Sequence, residues 1–183
     1  MNADNQQERL KDGFNYYIAG FVDGEGTFHI AIQKTANVRV GYQLIPEFRV
    51  SQRTDRVKIL RKILNLFKCG YIKDNHARNL NDKNLVYTVR NKEDLWNIII
   101  PFFKRYQLQS AKDLDFRKFV KIVEEMRNRV HLNPKGLLSL LKIAFSMNRN
   151  GKYRTIHKSN LVKLLESSET TRQTHSPKGE GKI

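Results

Sequence analysis

A chain of 183 residues with 39% hydrophobic side chains is long enough to bury one core, and 34 Lys and Arg against 18 Asp and Glu leave a formal charge of +16, far beyond what solubility requires. Such an excess selects a polyanionic partner, and aromatic residues spread among the basic ones favour nucleic acid over a bare membrane surface. The lone Cys69 excludes an internal disulfide framework and a cysteine-based zinc site, and no apolar run approaches the ~18–20 residues of a membrane span. The N-terminus lacks a basic stretch followed by an apolar core, so the expectation is an intracellular protein, with no membrane partner.

Residues 1–11 are polar and read as a flexible N-terminus, after which Asp12 is a candidate N-cap and Phe14, Tyr17, Ile18 and Phe21 repeat at helical spacing. Gly20 and Gly24 lie one above the other on that helix, opening a stripe to the close approach of another helix. The helix runs into Asp23 and Glu25, where the macrodipole disfavours negative charge by about 0.3–1 kcal/mol per group. Acids so placed call for a cation, and hard oxygen donors suggest Mg²⁺ or a similar divalent metal. The stretch from Asp23 to Gly26 also fits a polar turn that closes the helix, and taken alone the residues leave both readings open.

After Gly26 the period changes to two, with Phe28, Ile30 and Ile32 alternating with His29, Ala31 and Gln33, which predicts a half-buried strand. A polar turn over 34–41 leads to a second strand from Tyr42 to Gln52, with Tyr42, Leu44, Phe48 and Val50 on one face and Gln43, Ile45, Glu47, Arg49 and Ser51 on the other; Pro46 marks an edge or a bulge. A helix over about 54–68 carries Val57, Leu60, Ile63, Leu64 and Phe67 on one stripe and is closed by Gly70. A second hairpin, 71–75 and 85–90, is followed by a helix that Asn91 caps and that Pro101 ends or kinks. Two more helices, about 113–130 and 133–147, precede a basic loop with Arg149 and Lys152, a short helix ending near 165, and a basic tail over 167–183 expected to be disordered. The domain reading is one domain over 12–166.

This order predicts an α+β fold, αββαββα, in which a four-stranded antiparallel sheet is backed by helices on one face, plus additional C-terminal helices. The open face would carry His29, Gln33, Gln43, Ile45, Glu47, Arg49, Lys73, Asn75, Thr88 and Arg90, with Arg149 and Lys152 from the basic loop as further DNA contacts. An antiparallel ribbon fits the major groove, where Arg and Lys read guanine, Gln and Asn read adenine, Glu47 would accept from a cytosine amino group and Ile45 would meet a thymine methyl. An ordinary solvated sheet face is the competing reading.

The run Ile18-Ala19-Gly20-Phe21-Val22-Asp23-Gly24-Glu25-Gly26 resembles the LAGLIDADG motif of homing endonucleases and intron maturases, with changes at Ile18, Phe21, Val22, Gly24 and Glu25, and the downstream elements resemble single-motif members over about residues 14 to 165. No second copy of the motif occurs between Thr27 and Ile183. The chain therefore resembles the homodimeric class, with Tyr17, Gly20, Phe21 and Gly24 facing their own copies across a two-fold axis. Two Glu25 carboxylates meeting there require divalent cations between them.

The resemblance implies that Glu25 is catalytic and binds metal together with the Gly24 carbonyl, that two or three Mg²⁺ ions are shared across the dimer, and that one phosphodiester is hydrolysed in each strand of a long, nearly palindromic double-stranded intron-insertion site, leaving 3′ overhangs. It aligns Gln52 with a glutamine that orders the attacking water, and it requires a basic residue for which Lys112 is the first candidate and Lys104 the second, with Gln109 taking that place in another alignment. Asp23 points well away from Glu25 and is given a structural role. The alternative is an RNA maturase or non-catalytic nucleic-acid binder of the same fold, with intron RNA as partner; retention of Glu25 argues for cleavage. Location in an organelle that encodes the protein, or in a bacterial or archaeal cytoplasm, fits equally.

Overall fold

Good helix formers fill residues 6–11, and no glycine or proline interrupts the chain before Gly13, so the first helix propagates back further than its cap signal suggests. In the computed structural model, which describes residues 3–35, 42–76, 79 and 81–148, α1 spans Ala3–Glu25. The helix thus begins at Ala3 rather than at Asp12, and the polar lead-in is helical. Asp12 serves another purpose: its carboxylate accepts from the Tyr106 hydroxyl at 2.5 Å and lies 3.5 Å from Arg105. Arg149, Lys152, the last short helix and the tail lie outside the described residues.

β1 (Gly26–Lys34) and β2 (Tyr42–Arg53) pair without a break from Gly26↔Val50 to Lys34↔Tyr42, so Pro46 makes no bulge. It sits opposite Ile30, while β4 (Asn84–Val89) pairs with β2 only from Phe48 onward. The missing amide hydrogen of Pro46 therefore lies where β2 has no second neighbour, the edge position that its ring demands. With β3 (Tyr71–Asp74) the sheet is antiparallel in the order β1-β2-β4-β3.

α2 (Lys58–Phe67) follows a short 3₁₀ turn and ends on Lys68 in the left-handed region (φ 51°), not on Gly70. Gly70 (φ 75°) turns the chain into β3, and a Cβ there would stand 2.6 Å from the Thr88 carbonyl oxygen. Asn91 caps the next helix as its sequence predicts, accepting from the amides of Glu93 and Asp94 at 2.8 and 3.2 Å. That helix passes from α3 (Lys92–Asp94) through a π turn (Leu95–Ile99) into α4 (Ile100–Arg105). The wider π turn takes up the proline's missing amide hydrogen and its ring, so Pro101 neither stops the helix nor needs to. α5 (Lys112–Arg127) and α6 (Pro134–Phe145) complete the described chain.

Phe28 is the hub of the core, with ring centroids of Phe48, Phe103, Phe116 and Phe119 at 5.2, 5.3, 4.9 and 5.4 Å. Each fully buried aromatic contributes about 1.5–3 kcal/mol. The arrangement matters for the site because Phe116 and Phe119 lie on α5 and Phe28 lies just after α1, so this packing brings the start of α5 against the end of α1.

Candidate active site and nucleic-acid face

Asp23 lies at the C-terminal end of α1 and also against the loop that opens α5. Its Oδ2 accepts the amide hydrogens of Gln109 (3.0 Å) and Ser110 (2.9 Å), and its Oδ1 accepts the Ser110 hydroxyl (2.6 Å). Ser110 Oγ in turn accepts the amide hydrogen of Lys112 at 3.1 Å. Three donors at the start of α5 offset what the end of α1 costs a carboxylate. The side chain is thereby spent on joining two helices.

Lys112 completes the junction. Its Nζ donates to the carbonyls of Val22 at 2.9 Å and Gly24 at 3.1 Å, covering oxygens that the end of α1 leaves without helical partners. Burial pulls its pKa below the usual lysine value, while Asp23, Glu25 and Asp115 act in the opposite sense. The carbonyls of the α1 terminus thus converge on a point already favourable to positive charge.

Glu25 is exposed, and among the described residues no hydrogen bond or ion pair engages its carboxylate. Gln52 lies in β2, which runs one residue further than expected, to Arg53. It pairs with Leu85 and lies two positions beyond the last β1–β2 pair, Gly26↔Val50, toward the end of α1. Of the three candidates for the basic position, Lys112 alone brings a side chain to this terminus. Lys104 Nζ lies 6.0 Å from the Trp96 ring, and the Gln109 side chain donates to the Gln107 carbonyl at 3.1 Å. No group of three or more His, Cys, Asp or Glu suited to a metal occurs among the described residues.

The outer face of α1 is bare. Tyr16 and Tyr17 are 60% and 56% exposed, and Cβ atoms added at Gly20 and Gly24 would meet nothing within 4 Å. Tyr17 stacks between Phe14 and Phe21, both centroids at 6.4 Å, and Phe21 is half-buried. Ile18, Ala19 and Val22 are buried on the opposite side of the helix.

On the sheet's outer face Gln33, Gln43, Lys73 and Arg90 are exposed and His29, Ile45, Arg49 and Asn75 half-buried. Two expected contacts are corrected. Glu47 is only 2% exposed, because Arg90 Nη2 sits 2.6 Å from its Oε1 and Arg49 Nη1 lies 4.0 Å from its Oε2. Thr88 is fully buried, since it pairs with Arg49 on one side and Tyr71 on the other in the middle of the sheet. Neither is open to a base edge. Tyr71 was not among the expected contacts, yet it is 42% exposed with Lys73 Nζ 5.8 Å from its ring centroid; sharing the parity of Lys73 in β3 is the signal that finds it.

A family model described as LAGLIDADG endonuclease matches residues 18–123. Among curated relatives, "Probable intron-encoded endonuclease 3" of Neurospora crassa is 31% identical over 125 residues, covering 68% of this chain but 22% of its own length, so the chain spans under a quarter of that relative. The crystal structure of the homing endonuclease I-TnaI aligns with TM-score 0.71 and 31% identity over 84% of this chain and 96% of its own. I-SmaMI, solved bound to an uncleaved DNA target in the presence of calcium ions, aligns with TM-score 0.68 and 34% identity over 73% of this chain and 44% of that one.

Proposed function

The chain belongs to the LAGLIDADG family of homing endonucleases, and on that premise we propose that it is a site-specific, Mg²⁺-dependent DNA endonuclease working as a homodimer. Its target is a long, nearly palindromic intron-insertion site cut in both strands to leave 3′ overhangs, and the protein acts in the organelle whose intron encodes it. The observation that carries this reading is the bare face of α1: Gly20 and Gly24 offer open space beside an exposed Tyr17, on the helix whose last residue is Glu25. A second copy on that face would supply the second Glu25 that one chain lacks.

The donor set suits a hard cation. Each protomer offers the Glu25 carboxylate and the Gly24 carbonyl, whose second lone pair is left over by Lys112. Two protomers double this set, leaving positions for phosphate oxygens and water. When bound, the metal supplies Lewis-acid stabilisation of the phosphate and lowers the pKa of water. Lys112 holds positive charge beside the scissile phosphate, Gln52 orients the attacking water, and Asp23 fixes α5 so that Lys112 keeps its place. The outer sheet face lies along the major groove, contacting DNA through Arg49, Arg90, Lys73 and their polar neighbours.

The test is incubation with plasmid carrying a candidate intron-insertion site, with Mg²⁺ and with Ca²⁺, beside light scattering. Double-strand cuts with Mg²⁺ and a particle of about twice 21.5 kDa are expected. A monomer, or tight intron-RNA binding without cleavage under either metal, would overturn it.

A further inference from the structure

Glu47 lies on the outer sheet face by its register, opposite His29 on β1 and in line with Ile45 and Arg49 on β2. Extending the β2–β4 register one pair past Phe48↔Val89 places it directly across from Arg90. Yet its side chain is 3% exposed, against 46% for Arg90 and 32% for Arg49. An acid at the centre of a DNA-facing surface would ordinarily repel phosphates; this one is shielded by two guanidinium groups that remain partly open themselves.

Each arginine is fixed at one edge. Arg90 is ion-paired with Glu47, Nη2 standing 2.6 Å from Oε1 outside hydrogen-bond geometry. Arg49 has Nη1 at 4.0 Å from Glu47 and donates from Nη2 to Asn75 Oδ1 at 2.9 Å. Asn75 Nδ2 lies 3.2 Å from His76 Nδ1, His76 is paired with Asp82, and Asp82 accepts from the Asn84 amide at 3.0 Å. A guanidinium carries five donors, so each arginine retains donors for a second partner. Holding a long side chain in place before binding lowers the ordering cost of using it.

We infer that Glu47 is a positioning residue that holds Arg49 and Arg90 as paired guanine readers and makes no contact with DNA itself. The inference rests on the reading of this face as the DNA surface. Positions 49 and 90 are diagonal neighbours across β2 and β4, about 7–8 Å apart, which matches two steps of the ~3.4 Å spacing along a DNA strand. The two arginines therefore read base pairs two steps apart, with one carboxylate between them offsetting their mutual repulsion. A bare cross-strand ion pair needs only Arg90; the approach of Arg49 and its tether to Asn75 are what the recognition role explains.

The experiment is selection from a randomised duplex pool in Ca²⁺, using the full chain and its Glu47→Gln, Arg90→Ala and doubly substituted variants, with melting temperatures measured in parallel. The expected result is that Glu47→Gln lowers guanine preference about fivefold or more at two positions two base pairs apart, that Arg90→Ala affects one of them, and that the two substitutions are non-additive there. Changed melting with an unchanged preference profile would overturn the inference in favour of a purely structural pair. A switch from cytosine to adenine at a single position under Glu47→Gln would overturn it in favour of direct readout by Glu47. No sequence preference in the unsubstituted protein would instead overturn the DNA-recognition reading beneath it.

Discussion

Gly20→Leu separates the protomer's stability from its assembly. Within the protomer a Cβ at Gly20 meets nothing within 4 Å, and the position is inside the 23-residue α1, so replacing glycine by a good helix former should stabilise the isolated chain by about 0.5–1 kcal/mol. Across a two-fold axis each copy would push its side chain into the other helix. Overpacking costs about 1–3 kcal/mol per site, and two sites raise the dimer dissociation constant about thirtyfold or more. Urea unfolding across a range of protein concentrations, together with sedimentation velocity, reads both effects. The unsubstituted protein should show a midpoint that rises with concentration, whereas the variant should show a concentration-independent midpoint, higher than that of the unsubstituted protein at dilutions where both are monomers. Equal dimer affinity for the two proteins would refute the placement of the interface on this face.

Glu25→Gln should abolish cleavage while target binding persists in a filter or gel-shift assay; continued cutting would mean that another acid does the chemistry. In the role proposed for it Lys112 is protonated to stabilise phosphate charge, and burial depresses its pKa below the usual lysine value, so the cleavage rate should fall at alkaline pH before an ordinary lysine titrates; Lys112→Arg should move that limb upward. Thr88→Val removes a buried hydroxyl that has no hydrogen-bond partner among the described residues and should raise stability by about 1 kcal/mol, with base preference unchanged. A change in that preference on selection would show Thr88 reaching the DNA after all.

The alternation of strands and the shift of period at Gly26 make the sheet legible in the sequence, and Asn91 announces its cap through the two acids after it. Other features depend on partners far along the chain. Asp23 reads as misplaced until Ser110, 87 residues later, is brought against it. Glu47 and Thr88 have the parity of outward residues, but parity reports a face and not how far a neighbouring strand's arginine or tyrosine leans over it. The start of α1 was hidden because Asp12 is an acceptable cap residue in a stretch already helical on both sides. Pro101 was ambiguous because a π turn leaves no composition signal of its own.

The Asp23–Ser110–Lys112 junction has a consequence for how such a protein can change. No hydrogen bond or ion pair joins Glu47, Arg49, Asn75 or Arg90 to Asp23, Glu25 or Lys112 among the described residues. The acid and the ammonium are set relative to each other by the ends of two helices, while the proposed reading surface is laid out on the four strands. In the proposed function, a lineage moving to a new insertion site can rewrite the outward positions of the strands, Gln52 of β2 excepted, and leave the helix junction in register.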